Sequence, residues 1–348
     1  MRTFALAICF VLLSICVFGQ AGTGTITGIV TDPAGAVVAN AAVEVKNTET
    51  NVLYPTVSTE TGAYTVLRLP PGPYSITVTA SGFKTLNRTG LTVSAGGVLP
   101  QDLRLDIGST SESVEVNEQG TLLKTESGDI SHNITLAMLD ELPILGIGGA
   151  NAGATGIRNP FNSASLIPGV AYFANFQMIV NGAPSNTAGY RIEGLDNTNH
   201  TVAFAITQNM PNADAVQEMA VQTSNYAAEF GQAGGGLFNM TMKSGTNQFH
   251  GTAYDYFVNE VLNSATPFTI NPNSPNEHLR PTQRRNDYGF TTGGPVWLPK
   301  LYNGHDRTFF FFNWEQFREF SNINNQSITV PIQAYRDGNF ARALTGRN

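Results

Sequence analysis

The 348 residues carry a formal net charge of −7, and only 13% of them are Asp, Glu, Lys or Arg. An acidic chain with sparse, scattered Lys and Arg excludes a nucleic-acid binder, which would gather cations on one face. Gly, Asn, Ser and Thr are abundant while helix formers of the Glu/Lys/Leu type are scarce, so the fold class is mainly β with many turns.

The chain opens with an expected signal peptide over 1–21. Arg2 gives a short positive region, Phe4 to Phe18 is apolar apart from Ser14, and Gly19 and Ala21 are small enough for a peptidase site. A stretch of this length falls short of the roughly 20 apolar residues that span a bilayer. Both cysteines, Cys9 and Cys16, lie inside this segment. Ile15 is too large to precede a lipidated Cys16, so the exported chain is read as cysteine-free, with neither a disulfide nor a Cys-ligated metal.

Residues 22–106 show alternating runs between turn signals. Thr25 to Thr31 alternates and stops at Asp32-Pro33-Ala34-Gly35; Ala42-Val43-Glu44-Val45-Lys46 follows; Gly62 to Val66 leads into Pro70-Pro71-Gly72-Pro73; Tyr74 to Ala80 ends at Ser81-Gly82-Phe83. Strands at such spacing within about 85 residues predict a β-sandwich. The order Gly28-x-Val30-x-Asp32, Gly35, Thr61-Gly62-x-Tyr64, Leu69-Pro70-x-Gly72-x-Tyr74 and Gly82-Phe83 resembles the carboxypeptidase regulatory-like domain. That resemblance implies a non-catalytic, Ig/transthyretin-like sandwich with no peptidase chemistry.

Residues 107–120 turn polar and acidic, a linker in which Ser113, Val114, Glu115 and Val116 form a short β-prone run. Capture of an extended segment as an added strand needs free backbone groups and little from side chains. This run is the candidate for such capture, although a plain linker has the same composition.

Residues 121–245 are expected to form an α+β plug domain. Leu136, Leu139 and Leu142 stand near helical spacing and Pro143 ends them. A Gly/Ala-rich loop covers 146–156, Ile179-Val180-Asn181-Gly182 follows, and Tyr190 to Asp196 reads as a strand with a turn after it. Val216 to Gly231, Gly234-Gly235-Gly236 and Asn239 to Asn247 closely resemble the end of the plug in TonB-dependent outer-membrane receptors of the Oar-like type. Between strands, the glycine triplet is expected to allow close backbone approach in a packed plug. Arg191, Glu193 and Asp196 are the candidate plug lock, charges that pair with a surrounding wall and release; solvated surface charge is the plainer reading.

From 246 to 348 the chain is aromatic. Tyr288 and Phe290 alternate with small or polar residues, and Phe310, Phe312 and Trp314 would face lipid while Asn313 and Glu315 face a lumen. This dyad pattern predicts the first strands of a transmembrane β-barrel. Arg284 to Phe290, Gly293 to Val296, Pro299 to Gly304 and Thr308 to Phe312 share the Oar-like resemblance. Such receptors close about 22 strands, so three or four strands imply an incomplete barrel and a truncated fragment, since an open sheet in lipid leaves edge groups unpaired.

No catalytic site is expected. The histidines at 132, 200, 250, 278 and 305 are dispersed and head no zinc-binding spacing; nucleophile-elbow, phosphate-loop and dinucleotide fingerprints are missing. No cofactor and no metal are expected. The resemblance implies active uptake at the Gram-negative outer membrane with the TonB-ExbB-ExbD energising complex, outer-membrane lipid and a small carbohydrate or peptide ligand as partners. A surface adhesion or carbohydrate-binding protein using the sandwich is the alternative, and a secreted enzyme a more distant one.

Overall fold

The computed structural model describes residues 22–109, 113–117, 128, 130–141, 158–172, 178–185, 187–199, 209–226, 231, 233–262, 264, 277–278, 283–321 and 331–341. The expected signal segment, the linker residues around 113–117, Leu142-Pro143 and the loop 146–156 lie outside them. Among the described residues strand predominates, and no helix is long and apolar enough to cross a membrane. The chain divides into two compact units, one of 1–255 with 287–317, the other of 256–286 with 318–348.

In the first unit a β-sandwich comes first. Its strands are β1 (Gly24–Thr31), β2 (Ala42–Asn47), β3 (Leu53–Val57), β4 (Ala63–Leu69), β5 (Gly72–Thr79), β6 (Thr85–Val93), β7 (Val98–Pro100), β8 (Leu103–Arg104) and β9 (Ser113–Asn117). One sheet runs β4-β1-β7 with β8 also pairing β1; the other runs β3-β2-β5-β6-β9. The alternation read in the sequence is the alternation of burial: Val43 and Val45 of β2, and Tyr74, Ile76 and Val78 of β5, point into one core with Ile26, Val30 and Leu103. Each such aliphatic side chain contributes about 1.5–3 kcal/mol. The tyrosine hydroxyls do not go to waste in that core: Tyr64 donates to the Gln101 carbonyl at 2.7 Å and Tyr74 to the Pro70 carbonyl at 2.7 Å.

The region expected to be a plug follows, with β10 (Ile130–Thr135), a short helix Leu136–Glu141, a 3-10 turn Pro160–Leu166, β11 (Val170–Tyr172), β12 (Met178–Val180), β13 (Gly189–Ile192), β14 (Leu195–Asp196), a 3-10 turn Ala213–Ala215, β15 (Val216–Ser224) and β16 (Leu237–Met242). Its five-stranded sheet has the order β10-β15-β16-β13-β14, and β11 pairs β12 separately. Met219, Val221, Phe238 and Met240 lie on one sheet face and pack with Phe161, whose ring meets Tyr190 edge-on at 5.4 Å. The turn expected after Tyr190 to Asp196 lies inside that run: Glu193 and Gly194 both take positive φ, at 52° and 76°, and fold it into the β13–β14 hairpin. Two residues at positive φ suit a two-residue hairpin loop.

Three long strands, β17 (His250–Asn259), β18 (Gln283–Pro295) and β21 (Phe309–Ser321), hydrogen-bond in the order β17-β18-β21, and β19 (Trp297–Leu298) pairs β20 (Tyr302–Asn303) in the short connection between the last two. The sheet bears the expected dyad. Phe290, Phe312 and Trp314 are exposed on one face, with ring centroids 5.8 Å (Phe290–Phe312) and 6.1 Å (Phe290–Trp314) apart. Asp287 and Thr291 are buried on the other. Within the second unit, Arg285 and Glu319 pair at 2.7 Å.

Candidate functional site

Two 3-10 turns prepare a charged seam on the plug. Asn159 caps the first, its side chain accepting from the Phe161 N–H at 2.9 Å with Pro160 at the first helical position, and this leaves Arg158 just outside the turn. Asn212 caps the second, accepting from the Ala215 N–H at 2.7 Å, and sets Asp214 in its only turn. Side-chain acceptors are what a helix start needs, because its first N–H groups have no intrahelical partner. Arg158 Nη1 then reaches Asp214 Oδ2 at 2.6 Å, both side chains nearly buried.

The three-stranded sheet meets this seam through Tyr254 of β17. Asn212 Nδ2 donates to the Tyr254 hydroxyl at 3.3 Å, and the hydroxyl donates to Glu315 Oε2 of β21 at 2.8 Å. Thr252 and Thr291 hydroxyls join β17 to β18 on the same inner side at 2.8 Å. Asp287, Asp214 and Arg158 all lie within electrostatic reach of Glu315. Glu315 thus faces two other carboxylates and the Arg158 guanidinium, across a contact that hydrogen bonds hold in position.

The residues singled out in the sequence sit elsewhere. Arg191 Nη1 donates to the Gly194 carbonyl at 3.1 Å, Glu193 accepts from the Met242 N–H, and Asp196 accepts from the Thr198 N–H at 3.0 Å. The Glu193 bond ties the β13–β14 hairpin to β16, and the other two are local to the hairpin and its exit. Burial raises the Glu193 pKa above its ordinary value, and the Met242 N–H partly offsets this. A carboxyl raised in the folded plug stabilises it fully below the ordinary carboxylate pKa, and that contribution is lost as pH rises through the raised one. Glu193→Gln keeps an acceptor for Met242 without a charge. Hydrogen exchange in β16 followed across acidic to neutral pH is expected to show the wild-type plug losing protection where the Gln plug does not; parallel profiles would contradict this.

Ser113 to Val116 form most of β9, which pairs in parallel with β6 in the register Thr85↔Ser113 to Thr89↔Asn117. Val114 packs on the sandwich core and Glu115 is exposed; the side chains of Ser113 and Val116 are outside the described set. This segment stands as the fifth strand of the second sandwich sheet.

The glycine triplet has a steric reason. A Cβ on Gly235 would lie 2.7 Å from Thr187 Oγ1, and Gly236 holds φ at +130° with its would-be Cβ 2.9 Å from Val180 Cγ1. Gly236→Ala is expected to cost the plug about 1–3 kcal/mol from backbone strain alone, read as faster exchange of β15 and β16 amides with unchanged β2 and β5.

Sequence comparison yields two domain matches: residues 25–106 match the carboxypeptidase regulatory-like domain and residues 241–347 the outer membrane beta barrel domain. Over 287 residues the chain is 28% identical to the TonB-dependent transporter Oar of Myxococcus xanthus, covering 81% of this chain and 26% of that transporter. The chain thus spans about a quarter of that relative's length. Among solved structures it is similar to the siderophore receptor PirA from Acinetobacter baumannii (20% identity, 48% of this chain, 22% of that chain, TM-score 0.32) and to PirA from Pseudomonas aeruginosa (17%, 48%, 26%, 0.31).

Proposed function

We propose, on the premise that this chain belongs with the TonB-dependent outer-membrane receptors of the Oar-like type, that it serves active uptake of a small carbohydrate or peptide across the outer membrane. The observation that supports this most is the pairing of an aromatic-out, polar-in sheet with a plug whose charged seam touches its inner side at Tyr254 and Glu315. Such a sheet places rings against lipid and polar groups toward a lumen, and the plug fills that side. The energising partner is TonB with ExbB and ExbD, acting on the backbone of the segment 113–116 by strand addition. The carbohydrate or peptide preference follows the appended sandwich, by analogy with receptors built the same way.

Arg191, Glu193 and Asp196 act in this reading within the plug, holding the hairpin whose movement would follow ligand binding, while Arg158, Asn212, Asp214, Tyr254 and Glu315 form the contact that slides.

The test is made in cells that express the protein. The product is expected in the outer-membrane fraction, and a purified TonB periplasmic domain is expected to bind it. Val114→Pro, which removes one backbone donor from the captured segment, should abolish that binding while leaving membrane assembly intact. A product found in the soluble fraction would sink the reading; undiminished TonB binding by the proline variant would move the captured segment elsewhere.

A further inference from the structure

The plug sheet has a second face, opposite the Met219 and Phe238 core. Register places Glu218 beside Thr241, and Ala220 beside Asn239, on this side. Polar sheet faces are ordinarily wet, yet Glu218, Gln222, Asn239 and Thr241 are only 7%, 8%, 6% and 4% exposed.

What covers them is the sandwich of the same chain. The buried Ala95 N–H, in the turn before β7, donates to Glu218 Oε1. Gln217 Nε2 donates to the Pro71 carbonyl at 3.2 Å. Gly22 lies so close that a Cβ there would be 3.3 Å from Thr241 Oγ1. A second contact sits at the β2–β3 turn: Asn51 Nδ2 donates to Asp306 Oδ1 at 2.9 Å, and the Asn247 N–H to the Glu49 carbonyl at 3.0 Å. Asp306, in the short turn before β21, is bound in turn by Asn247 at 2.7 Å. Asn51 and Asp306 both hold positive φ, 58° and 61°, as Asn and Asp do in turns more readily than other non-glycine residues.

We propose that the sandwich is a docked cap on the plug, seated across the sheet's polar face and the turn at Asp306, with Glu218 as the residue that positions it. The seam is made of hydrogen bonds rather than apolar packing, so water can replace it at small net cost and the cap can lift without either domain unfolding. While it is seated, the plug sheet cannot withdraw on that side. This rests on the interface alone and stands or falls independently of the transport reading.

The test uses the full chain with Cys9 and Cys16 changed to Ser. Gly22→Cys with Thr241→Cys puts two thiols within disulfide reach, and Gly35→Cys with Thr241→Cys is the control, since Gly35 faces open space. The first pair is expected to cross-link readily under mild oxidation and the control not to. In the chain without engineered cysteines the Ala95 amide should exchange roughly tenfold faster after Glu218→Ala, with Glu218→Gln restoring protection. Equal cross-linking of the two pairs overturns the docked cap. An Ala95 amide freely exchanging in Glu218→Gln, with β15 and β16 still protected, gives no overturning of the cap by itself but removes Glu218 from the positioning role the proposal assigns, and so overturns that part.

Discussion

Replacing Tyr64 with Ala is expected to destabilise the sandwich by about 3–5 kcal/mol, the range for truncating a large aromatic core residue. Tyr64 is 2% exposed, at the centre of the cluster formed by Ile26, Val66, Leu69 and Leu103. Its hydroxyl, besides, is the donor to the Gln101 carbonyl, and burial pushes the phenol pKa up, so the ring stays neutral and keeps donating. Tyr64→Phe separates the two contributions: the ring remains and the carbonyl of a residue 1% exposed loses that donor, at about 1–3 kcal/mol. Since domains of this kind are held by only about 5–15 kcal/mol, the alanine variant should lose amide protection throughout β2 and β5 in mild denaturant. Leu67→Ala, on the exposed side of the same strand, should stay within about 0.5 kcal/mol of wild type. Similar protection in the Tyr64→Ala and Leu67→Ala chains would mean that the core is not centred on this ring.

The strands that were legible in the sequence are those that bury one clean face. β1, β2, β4 and β5 alternate, and a turn signal closes each. β3 escaped because Pro55 stands in it; it is an edge strand bonded only to β2, where a missing donor is tolerated. β6 escaped because Asn87-Arg88-Thr89-Gly90 breaks the alternation, at a strand whose register with β5 also shifts between Tyr74 and Ile76. β9 reads as linker because its partner β6 lies far back in the chain, and nothing local announces a parallel fifth strand. The outward aromatics of β18 and β21 were legible from period alone. The charged seam was not: Arg158, Asn212, Asp214, Tyr254 and Glu315 come from four separate elements, and no spacing joins them. The available hint was in the caps, since Asn159-Pro160 and Asn212-Ala213-Asp214 both carry the mark of a helical turn start. Arg191, Glu193 and Asp196 drew notice as a local cluster, and locality is why they serve their own hairpin.

Arg158→Ala is expected to cost the plug about 3–5 kcal/mol, because it leaves Asp214 charged in a site where water cannot replace the guanidinium. The pair meets at 2.6 Å with side chains 8% and 11% exposed. The loss should not stop at Asp214. Glu315 also lies within electrostatic reach of Arg158, Asp214 and Asp287, so losing the guanidinium adds uncompensated negative charge beside the contact that Asn212 and Tyr254 make. The plug should then draw back from the wall. Faster exchange of β15 and β16 amides would report the first effect, and quenching of Trp314, on the strand that carries Glu315, offers a probe of the second. Arg158→Met combined with Asp214→Leu removes both charges and keeps their volume, and this double variant should recover most of the stability. If Arg158→Ala costs under about 1 kcal/mol, the pair behaves as a surface ion pair, and the seam cannot be what holds the plug against its wall.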